Sequence, residues 1–259
     1  MIDLVSLKNS RRVCVLALSS ALLFSACATA PSPDDKEAYA AYKEANDPLE
    51  PMNRAVFAFN QGFDKVLLRP AAITYRTVLP RPVRESNTNF LDNLESPVIF
   101  LNDLLQAKPG RARTTLARFV INTSIGFFGF FDPAENMGYA YHDEDFAQTL
   151  GYWGVSSGPY LMLPILGPLP PRDAAGFAVD ILTDPLTYVF DDHREVNYAL
   201  YGVDAIDQRH QVLDEFDELE RTSVDYYAAI RSLYRQRMND LIRDGETDLD
   251  NLPDFDEEY

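Results

Sequence analysis

One short string in the sequence has the spacing of a nucleophilic serine site. Gly154-Val155-Ser156-Ser157-Gly158 matches the G-x-S-x-G elbow, in which a serine lies on a strained turn between a strand and a helix. Candidates for the acid and the base follow in triad order: Asp180, Asp184, His193 and His210. Pro164 would interrupt the helix that the elbow needs, and no strand-rich pattern precedes it. A serine hydrolase therefore stays an alternative, and the sequence gives no positive chemical reason to predict an enzyme.

The histidines and carboxylates lack the spacing of a metal or cofactor site. His142, His193 and His210 are far apart, and none has a second histidine four residues away. Acidic strings beside His142 and His193 could contact a cation, but solvated acidic loops are the simpler interpretation. The sequence contains no Gly-rich phosphate loop, CxxC pair or dinucleotide fingerprint. We therefore predict no cofactor and no metal.

Cys27 is the residue with the clearest predicted chemistry. Basic residues precede an apolar run from Val13 to Phe24, which is too short to span a bilayer and is typical of a secretory signal. Phe24-Ser25-Ala26-Cys27 has small residues at the two positions before a cysteine, as lipoprotein signal peptidase requires, although leucine is usual where Phe24 stands. We predict a signal peptide over residues 1–26 and a lipid anchor on Cys27. The alternative is a soluble secreted protein cut a few residues later.

The charge and the absence of a long apolar run limit how the mature chain can meet a membrane. The formal net charge is -17, and loss of the three basic residues and one acidic residue in 1–26 would make it -19. This argues against nucleic acid as a partner and against docking on anionic headgroups. No later segment is apolar for long enough to form a spanning helix. Contact with one leaflet through apolar residues is therefore expected. The residue after Cys27 is Ala28 and not aspartate, which resembles an outer-membrane sorting signal.

The rest of the chain divides into three predicted parts. Residues 27–46 are rich in Ala, Pro, Ser and charge, as expected of an acylated tether. From Asp47-Pro48, an N-cap and a first-turn proline, apolar residues recur at helical spacing and alternating patterns are absent. Residues 47–243 are therefore predicted to be an all-α single domain of interrupted helices. Residues 244–259 are acidic with no basic residue, which predicts a disordered tail.

Prolines and periodicity set the predicted helix boundaries. The first predicted helix ends at Arg69-Pro70, and a second covers Val83–Glu95. Ser96-Pro97 separates the second from a short helix that ends near Leu105, and a further helix covers Gly110–Ile125. No regular helix is predicted over Pro159–Pro171, and one long or two shorter helices are predicted over Glu195–Arg243.

An aromatic segment follows the helix that starts at Gly110. Four phenylalanines surround Gly129 and leave no polar side to face water: Phe127, Phe128, Phe130 and Phe131. Burial in the core is one interpretation. Beside a lipid anchor, insertion into the inner leaflet is equally favoured, so these four residues are our candidates for membrane contact.

A series of short strings runs in a fixed order from about residue 47 to 190. They are Asp47-Pro48-Leu49-Glu50, Asn53-Arg54, Phe57-Ala58-Phe59-Asn60, Arg69-Pro70, Leu79-Pro80-Arg81-Pro82, Asn89-Phe90, Asn93-Leu94-Glu95, Pro97, Arg118-Phe119, Asn122-Thr123, Gly126, Phe131-Asp132, Thr149-Leu150-Gly151, Gly154, Gly158-Pro159-Tyr160, Leu163-Pro164, Gly167-Pro168 and Arg172-Asp173. Each string is weak alone, but in this order they resemble the MlaA (VacJ) family of outer-membrane lipoproteins.

The resemblance implies a helical ring in the inner leaflet of the outer membrane, with a central amphipathic channel. Such a protein removes phospholipid mislocalised in the outer leaflet, lies beside a trimeric outer-membrane porin, and passes the lipid to a soluble periplasmic carrier. No chemical change of the lipid is implied.

The resemblance also suggests where the channel wall or its gate lies. Asn53, Arg54 and Asn60 belong to the helix that matches the family's opening strings, and they are our candidates for this role. The alternative for these three residues is ordinary helix surface and capping. Two other functions stay open, namely a lipid hydrolase that uses Ser156 and a lipoprotein that only scaffolds a porin.

Overall fold

The computed structural model describes residues 30–184, 188 and 194–245. The predicted anchor at Cys27, the signal peptide, His193 and the tail beyond residue 245 lie outside the described residues. What is described is almost entirely helical, which confirms the all-α prediction. Within the described chain, no helix is both long enough and apolar enough to cross a membrane.

The described elements follow one another with short connections. In chain order they are α1 Lys36–Ala45, α2 Glu50–Phe63, a π-helix Asp64–Leu68, α3 Arg69–Val78, α4 Arg81–Leu105, α5 Pro109–Ser124, α6 Pro133–Asn136, α7 Phe146–Tyr152, β1 Met162–Leu163, β2 Gly167–Pro168, α8 Pro171–Thr183, α9 Arg194–Gln211, α10 Leu213–Thr222 and α11 Tyr226–Ile242. The two strands form an antiparallel hairpin in which Met162 lies opposite Pro168. The prediction of no regular helix after Pro159 is therefore confirmed.

The predicted helix end at Arg69-Pro70 is wrong. The backbone stays helical from α2 through the π-helix Asp64–Leu68 into α3, with Pro70 in the first turn of α3. A proline removes one backbone hydrogen bond inside a helix, and Pro70 lies where the hydrogen-bond spacing changes from π-helix to α-helix. Arg69 is held by Asp217 at 2.7 Å, so tertiary contacts stabilise the join.

The predicted break at Ser96-Pro97 is also wrong, since α4 runs through Pro97 without interruption. A proline inside a helix removes one backbone hydrogen bond and usually kinks or ends it. Here the Ser96 hydroxyl donates to the Asp92 carbonyl at 3.1 Å, and α4 packs along α5. Packing over the length of the helix therefore outweighs the local preference.

The last third forms three helices where one or two were predicted. Ser223 adopts an extended conformation after α10, and the Asp225 side chain caps α11 by accepting from the Ala228 N–H at 3.2 Å. At the other end of the chain, α1 occupies part of the predicted tether and buries none of its residues. The tether role of residues 27–46 stays a prediction.

The described residues fall into two compact units. The first unit contains the chain up to Gly62 together with Gly158–Pro170, and the second contains Phe63–Ser157 and the chain from Pro171 onward.

The second unit buries several long polar side chains and exposes several large apolar ones. Asp103, Gln106 and Gln148 are completely hidden, whereas Ile125 and Leu182 are each more than 60% exposed. In water-soluble proteins long charged and amide side chains usually lie outside, and large apolar patches are few. The surface of this unit is therefore not adapted to contact with water alone.

Candidate functional site

In the first unit, the Asn53 side chain ties α2 to the β1–β2 hairpin. Asn53 is completely buried, and its amide nitrogen donates to the Asp47 carboxylate at 2.8 Å and to the Tyr160 carbonyl at 3.0 Å. Its amide oxygen accepts from the Met162 N–H at 3.0 Å. One buried side chain thus bonds to three groups, one before α2 and two in the segment that leads into β1.

Asn60, two turns further along α2, makes the same kind of contact with the hairpin tip. Its amide nitrogen donates to the Leu163 carbonyl at 2.9 Å, and its oxygen accepts from the Ile165 N–H at 2.8 Å. Residues seven apart share one face of a helix, so Asn53 and Asn60 act on the same hairpin. Ile165 and Leu166, both more than half exposed, form the apolar tip that they hold.

Arg54 is not part of this arrangement. Its Nε atom pairs with Glu50 at 2.7 Å along α2, and the pair is partly exposed. The structure thus brings two of the three candidate residues together through a hairpin about a hundred residues away. Local sequence patterns could not reveal that partner. Whether any of the three lines or gates a channel stays a prediction.

In the second unit, the aromatic segment after α5 turns sharply through a left-handed backbone. The φ angles are +53° at Phe127, +60° at Phe128 and +93° at Gly129. Two consecutive non-glycine residues in this region cost energy that the surroundings must offset. Backbone bonds do so, since the Phe128 N–H donates to the Thr123 carbonyl at 3.0 Å and the Gly129 N–H to the Asn122 carbonyl at 2.8 Å.

This turn, residues 125–131, presents its aromatic rings in two ways. Phe127, Phe128 and Phe131 are each more than 60% exposed. Phe130 is 39% exposed and stacks on Phe90 with the ring centroids 4.8 Å apart. The turn therefore places three rings on the surface and uses one to attach itself to α4.

A polar cluster below the turn fixes its position. Arg118 donates to the Asp132 carboxylate at 2.6 Å, and the Asn122 amide donates to the same carboxylate at 2.9 Å. Burial opposes ionisation of Asp132, but the hydrogen bonds from Asn122 and Arg118 outweigh it and hold the pKa of this carboxyl below its usual value. The exposed aromatic residues are thus supported by a hydrogen-bonded ion pair between Arg118 and Asp132.

Acidic side chains on α4 face a different environment. Desolvation, reinforced by neighbouring carboxylates, raises the pKa of Asp92 to about 7 and that of Glu95 to about 8. Glu95 is nevertheless reached by solvent, and Asp143, whose pKa is also raised by desolvation, is exposed as well. Asp92 and Glu95 form no ion pair with any described residue. Asp92, Glu95 and Asp143 are thus close enough for the carboxylates to raise one another's pKa, and this acidic cluster was not predicted from the sequence.

The serine string lacks the strand-to-helix geometry of a nucleophile elbow. Gly154 and Gly158 have positive φ, but β1 follows the string where an elbow requires a helix. Asp180 accepts from the Phe146 N–H at 3.1 Å, and His210 contacts Arg84. His193 lies outside the described residues.

The acidic loop around His142 is a structural network. Glu144 is buried and accepts from Gln106 at 2.6 Å and pairs with Arg111 at 2.9 Å. His142 lies 3.1 Å from the Asp103 carboxylate. The prediction of a solvated acidic loop is therefore wrong for Glu144. The described residues contain no group of three or more potential ligands close enough together to hold a metal ion.

Comparison with known proteins gives a consistent result across sequence and structure. The model of the family described as MlaA lipoprotein matches residues 45–241. A solved structure, described as "Structural basis for maintenance of bacterial outer membrane lipid asymmetry", superposes with a TM-score of 0.68 at 36% identity and covers 76% of this chain and 98% of that chain.

Three curated relatives illustrate the sequence similarity. A Haemophilus influenzae protein named intermembrane phospholipid transport system lipoprotein MlaA is 34% identical over 247 residues, which is 92% of this chain and 94% of that protein. The Escherichia coli protein of the same name is 34% identical over 205 residues, 78% of this chain and 80% of the relative. An uncharacterised Rickettsia felis protein is 36% identical over 196 residues, 75% of this chain and 77% of the relative.

Proposed function

Because this chain belongs to the MlaA lipoprotein family, we propose that it is an outer-membrane lipoprotein that removes mislocalised phospholipid from the outer leaflet and so maintains lipid asymmetry. The observation that carries the proposal is the similarity to a phospholipid transport lipoprotein over 92% of this chain. Acyl chains on Cys27 would hold the protein at the membrane with about 0.8 kcal/mol per buried methylene.

The aromatic turn is the proposed contact with the inner leaflet. Phe127, Phe128 and Phe131 are exposed, and moving a phenylalanine side chain from water to hydrocarbon stabilises it by about 1.5–3 kcal/mol. The acidic chain is repelled by anionic headgroups, so an apolar contact of this kind suits it. The ion pair between Arg118 and Asp132 would keep the rings in place during insertion.

A polar route beside an apolar surface is what lipid transfer requires. A phospholipid headgroup crosses hydrocarbon only at high cost, whereas its tails prefer hydrocarbon. The acidic cluster with Asp92 and Glu95 supplies polar surface on α4 of the second unit. We propose that the headgroup moves along a central amphipathic channel in a ring-like protein while the tails stay in an apolar environment.

The hydrogen bonds made by α2 indicate how the proposed gate would work. Asn53 and Asn60 would act by holding the β1–β2 hairpin, whose apolar tip contains Ile165 and Leu166, and Arg54 is the weaker candidate of the three. Two partners are proposed. A channel alone carries lipid only down its gradient of chemical potential, so a soluble periplasmic carrier would accept the lipid.

A trimeric porin is the proposed neighbour in the membrane. The lipid is not altered chemically.

The test is the level of phospholipid in the outer leaflet, measured by surface labelling or by lipid A palmitoylation. Cells that lack this protein should show raised surface phospholipid, which wild type and Ser156→Ala restore and Cys27→Ala does not. If Ser156→Ala failed at normal abundance and localisation, the lipid hydrolase would replace the transporter. If the protein copurified with a porin, but cells without the protein had unchanged surface phospholipid, a porin scaffold would replace the transporter as the function.

A further inference from the structure

A cavity of about 540 Å³ lies in the second unit between α3, α4 and α9, next to the aromatic turn. Its volume is within the range of roughly 300–1,000 Å³ that small-molecule sites occupy. It is lined by Tyr75, Leu79, Pro82, Val83, Ser86, Asn87, Phe130, Val203 and Ile206. The lining is mainly apolar, and Val83, Phe130 and Val203 are each at least 39% exposed, so the cavity opens to the surface.

Hydrogen-bond donors without acceptors surround one end of this cavity. The Asn87 amide nitrogen is buried and meets no acceptor in hydrogen-bond geometry among the described residues, although it is close enough to the Tyr75 hydroxyl to lower that group's pKa. Overall the pKa of Tyr75 is raised, first by desolvation and then by Asp207. A buried donor without an acceptor costs about 1–3 kcal/mol. Such a group indicates a partner that the chain itself does not supply.

His210 provides a second donor of this kind. Its Nε2 atom faces a guanidinium nitrogen of Arg84, which can only donate, so Nε2 must accept. Desolvation and the charge of Arg84 lower the pKa of His210, which keeps the imidazole neutral. The proton then resides on Nδ1, which is buried and has no acceptor among the described residues.

Arg84 adds a positive charge at the same place. Its Nε atom donates to the carbonyl of Leu79, a residue that lines the cavity, and it forms no ion pair with any described carboxylate. Two carboxylates act on His210, and both have partners. Asp207 accepts from Tyr75 at 2.6 Å, from Thr88 at 2.8 Å and from Gln211 at 2.9 Å, and Asp214 pairs with Arg76 at 2.8 Å. A guanidinium beside neutral donors suits an anion with several acceptor oxygens, such as a phosphate.

We propose that this site binds one phospholipid molecule, with an acyl chain in the cavity and the phosphate at Arg84, Asn87 and His210. The proposal rests on the proposed transport function and names where that lipid is held in the second unit. Phe130 belongs both to the aromatic turn and to the cavity wall, so the proposed leaflet contact and the cavity share one side chain. The site recognises the phosphodiester and one tail, which all glycerophospholipids share.

The experiment is photolabelling of the full-length acylated protein in nanodiscs. The probe is phosphatidylethanolamine with a diazirine near the end of one acyl chain, and a diacylglycerol with the same tails serves as its counterpart without phosphate. In wild type, the label should attach to peptides that contain Val83, Phe130 or Val203. Val83→Trp, which fills the cavity, should reduce labelling at Phe130 and Val203 by about tenfold. The matched control is Val66→Trp at an 80% exposed valine on the π-helix, and it should leave the labelling unchanged.

Arg84→Gln tests the phosphate. It should weaken phosphatidylethanolamine binding by about tenfold, as expected for loss of a charge-assisted hydrogen bond, and leave diacylglycerol binding within about twofold. An equal loss for both lipids, at an unchanged melting temperature, would show that Arg84 does not meet the phosphate. Inorganic phosphate that competed as well as the phospholipid would contradict a lipid occupant.

The transport assay separates this proposal from the function on which it rests. If wild type cleared surface phospholipid but was never labelled in the cavity, the site would be overturned and the transport function would stand. If Val83→Trp lost the labelling but still cleared surface phospholipid at normal abundance, the cavity would not hold the transported lipid, and the proposal would be wrong. Loss of both labelling and clearance in Val83→Trp, with Val66→Trp unaffected, supports the proposal. If wild type did not clear surface phospholipid, the transport function itself would fail whatever the labelling showed.

Discussion

The hairpin of the first unit and the aromatic turn of the second both expose apolar residues, but they are held in different ways. The hairpin is held by side chains, since the amides of Asn53 and Asn60 bond to its backbone. The aromatic turn is held by its own backbone, which adopts a left-handed conformation at Phe127 and Phe128, and by the Asp132 cluster beneath it. A segment held by two side-chain amides should loosen when one of them is removed. A segment held by its backbone should tolerate changes to its exposed side chains.

The largest expected effect is at Gly129, where the backbone of the aromatic turn leaves no room. An added Cβ would lie 2.5 Å from the Asn93 Cβ atom, and the φ of +93° disfavours any L side chain. Strain and overpacking together should lower the free energy of unfolding of Gly129→Ala by about 4 kcal/mol. Gly110→Ala in α5, where an added Cβ meets nothing within 4 Å, is the control. Equal unfolding curves for the two variants would show that the turn is not held by its backbone.

Asn53→Ala tests the side-chain support of the hairpin. It removes three hydrogen bonds at a buried site, which should cost about 3 kcal/mol in chemical denaturation. Asn60→Ala, with two bonds to a partly exposed site, should cost roughly half as much. Arg54→Ala removes a partly exposed ion pair and should cost about 0.5 kcal/mol or less. Any other order would contradict the hydrogen-bond account of the hairpin.

The same three variants also test the proposed gate. If Asn60→Ala folded normally and left surface phospholipid unchanged, Asn60 would be removed from the gate candidates. A change in surface phospholipid with no change in hairpin protection from hydrogen exchange would indicate a direct role in the channel wall.

Phe128→Asp should change stability least and membrane contact most. Phe128 is 64% exposed, so its replacement should shift the free energy of unfolding by less than about 1 kcal/mol. Loss of its burial in hydrocarbon should weaken leaflet contact by about 2 kcal/mol, measured as reduced quenching depth by brominated lipids. Val224→Asp, at a fully exposed valine of the same unit, is the control. Unchanged depth and lipid clearance in Phe128→Asp would remove the turn as a membrane contact.

The helical class and several boundaries could be predicted because they depend on periodicity along the chain. The α5 helix and the absence of a helix after Pro159 follow from local patterns. The breaks expected at Pro70 and Pro97 are absent, and the backbone stays helical at both positions. Packing against distant segments outweighs the cost of each proline. Local rules treat each proline alone, whereas the fold stabilises a whole helix.

The sites depended more on distant contacts. Asn53 and Asn60 could be selected from the opening strings, but their hairpin partners lie about a hundred residues away. The left-handed φ of Phe127 and Phe128 has no sequence signature, since glycine is the residue that usually signals it. Arg84, Asn87 and His210 stand in no recognisable motif. Only the structure shows that Asn87 and His210 each have a buried donor without an acceptor among the described residues and that Arg84 lies beside them.

The π-helix between α2 and α3 has a consequence for how this sequence can change in length. A π-helix forms hydrogen bonds between residues five apart, so Asp64–Leu68 holds one residue more than an α-helix of the same span. Deletion of one residue there would be absorbed by conversion to α-helix, with the faces of α2 and α3 kept in phase. The same deletion elsewhere in α3 would rotate all later side chains by about 100°. Among relatives aligned to this chain, single-residue gaps should therefore be tolerated at this segment and rare within the helices on either side.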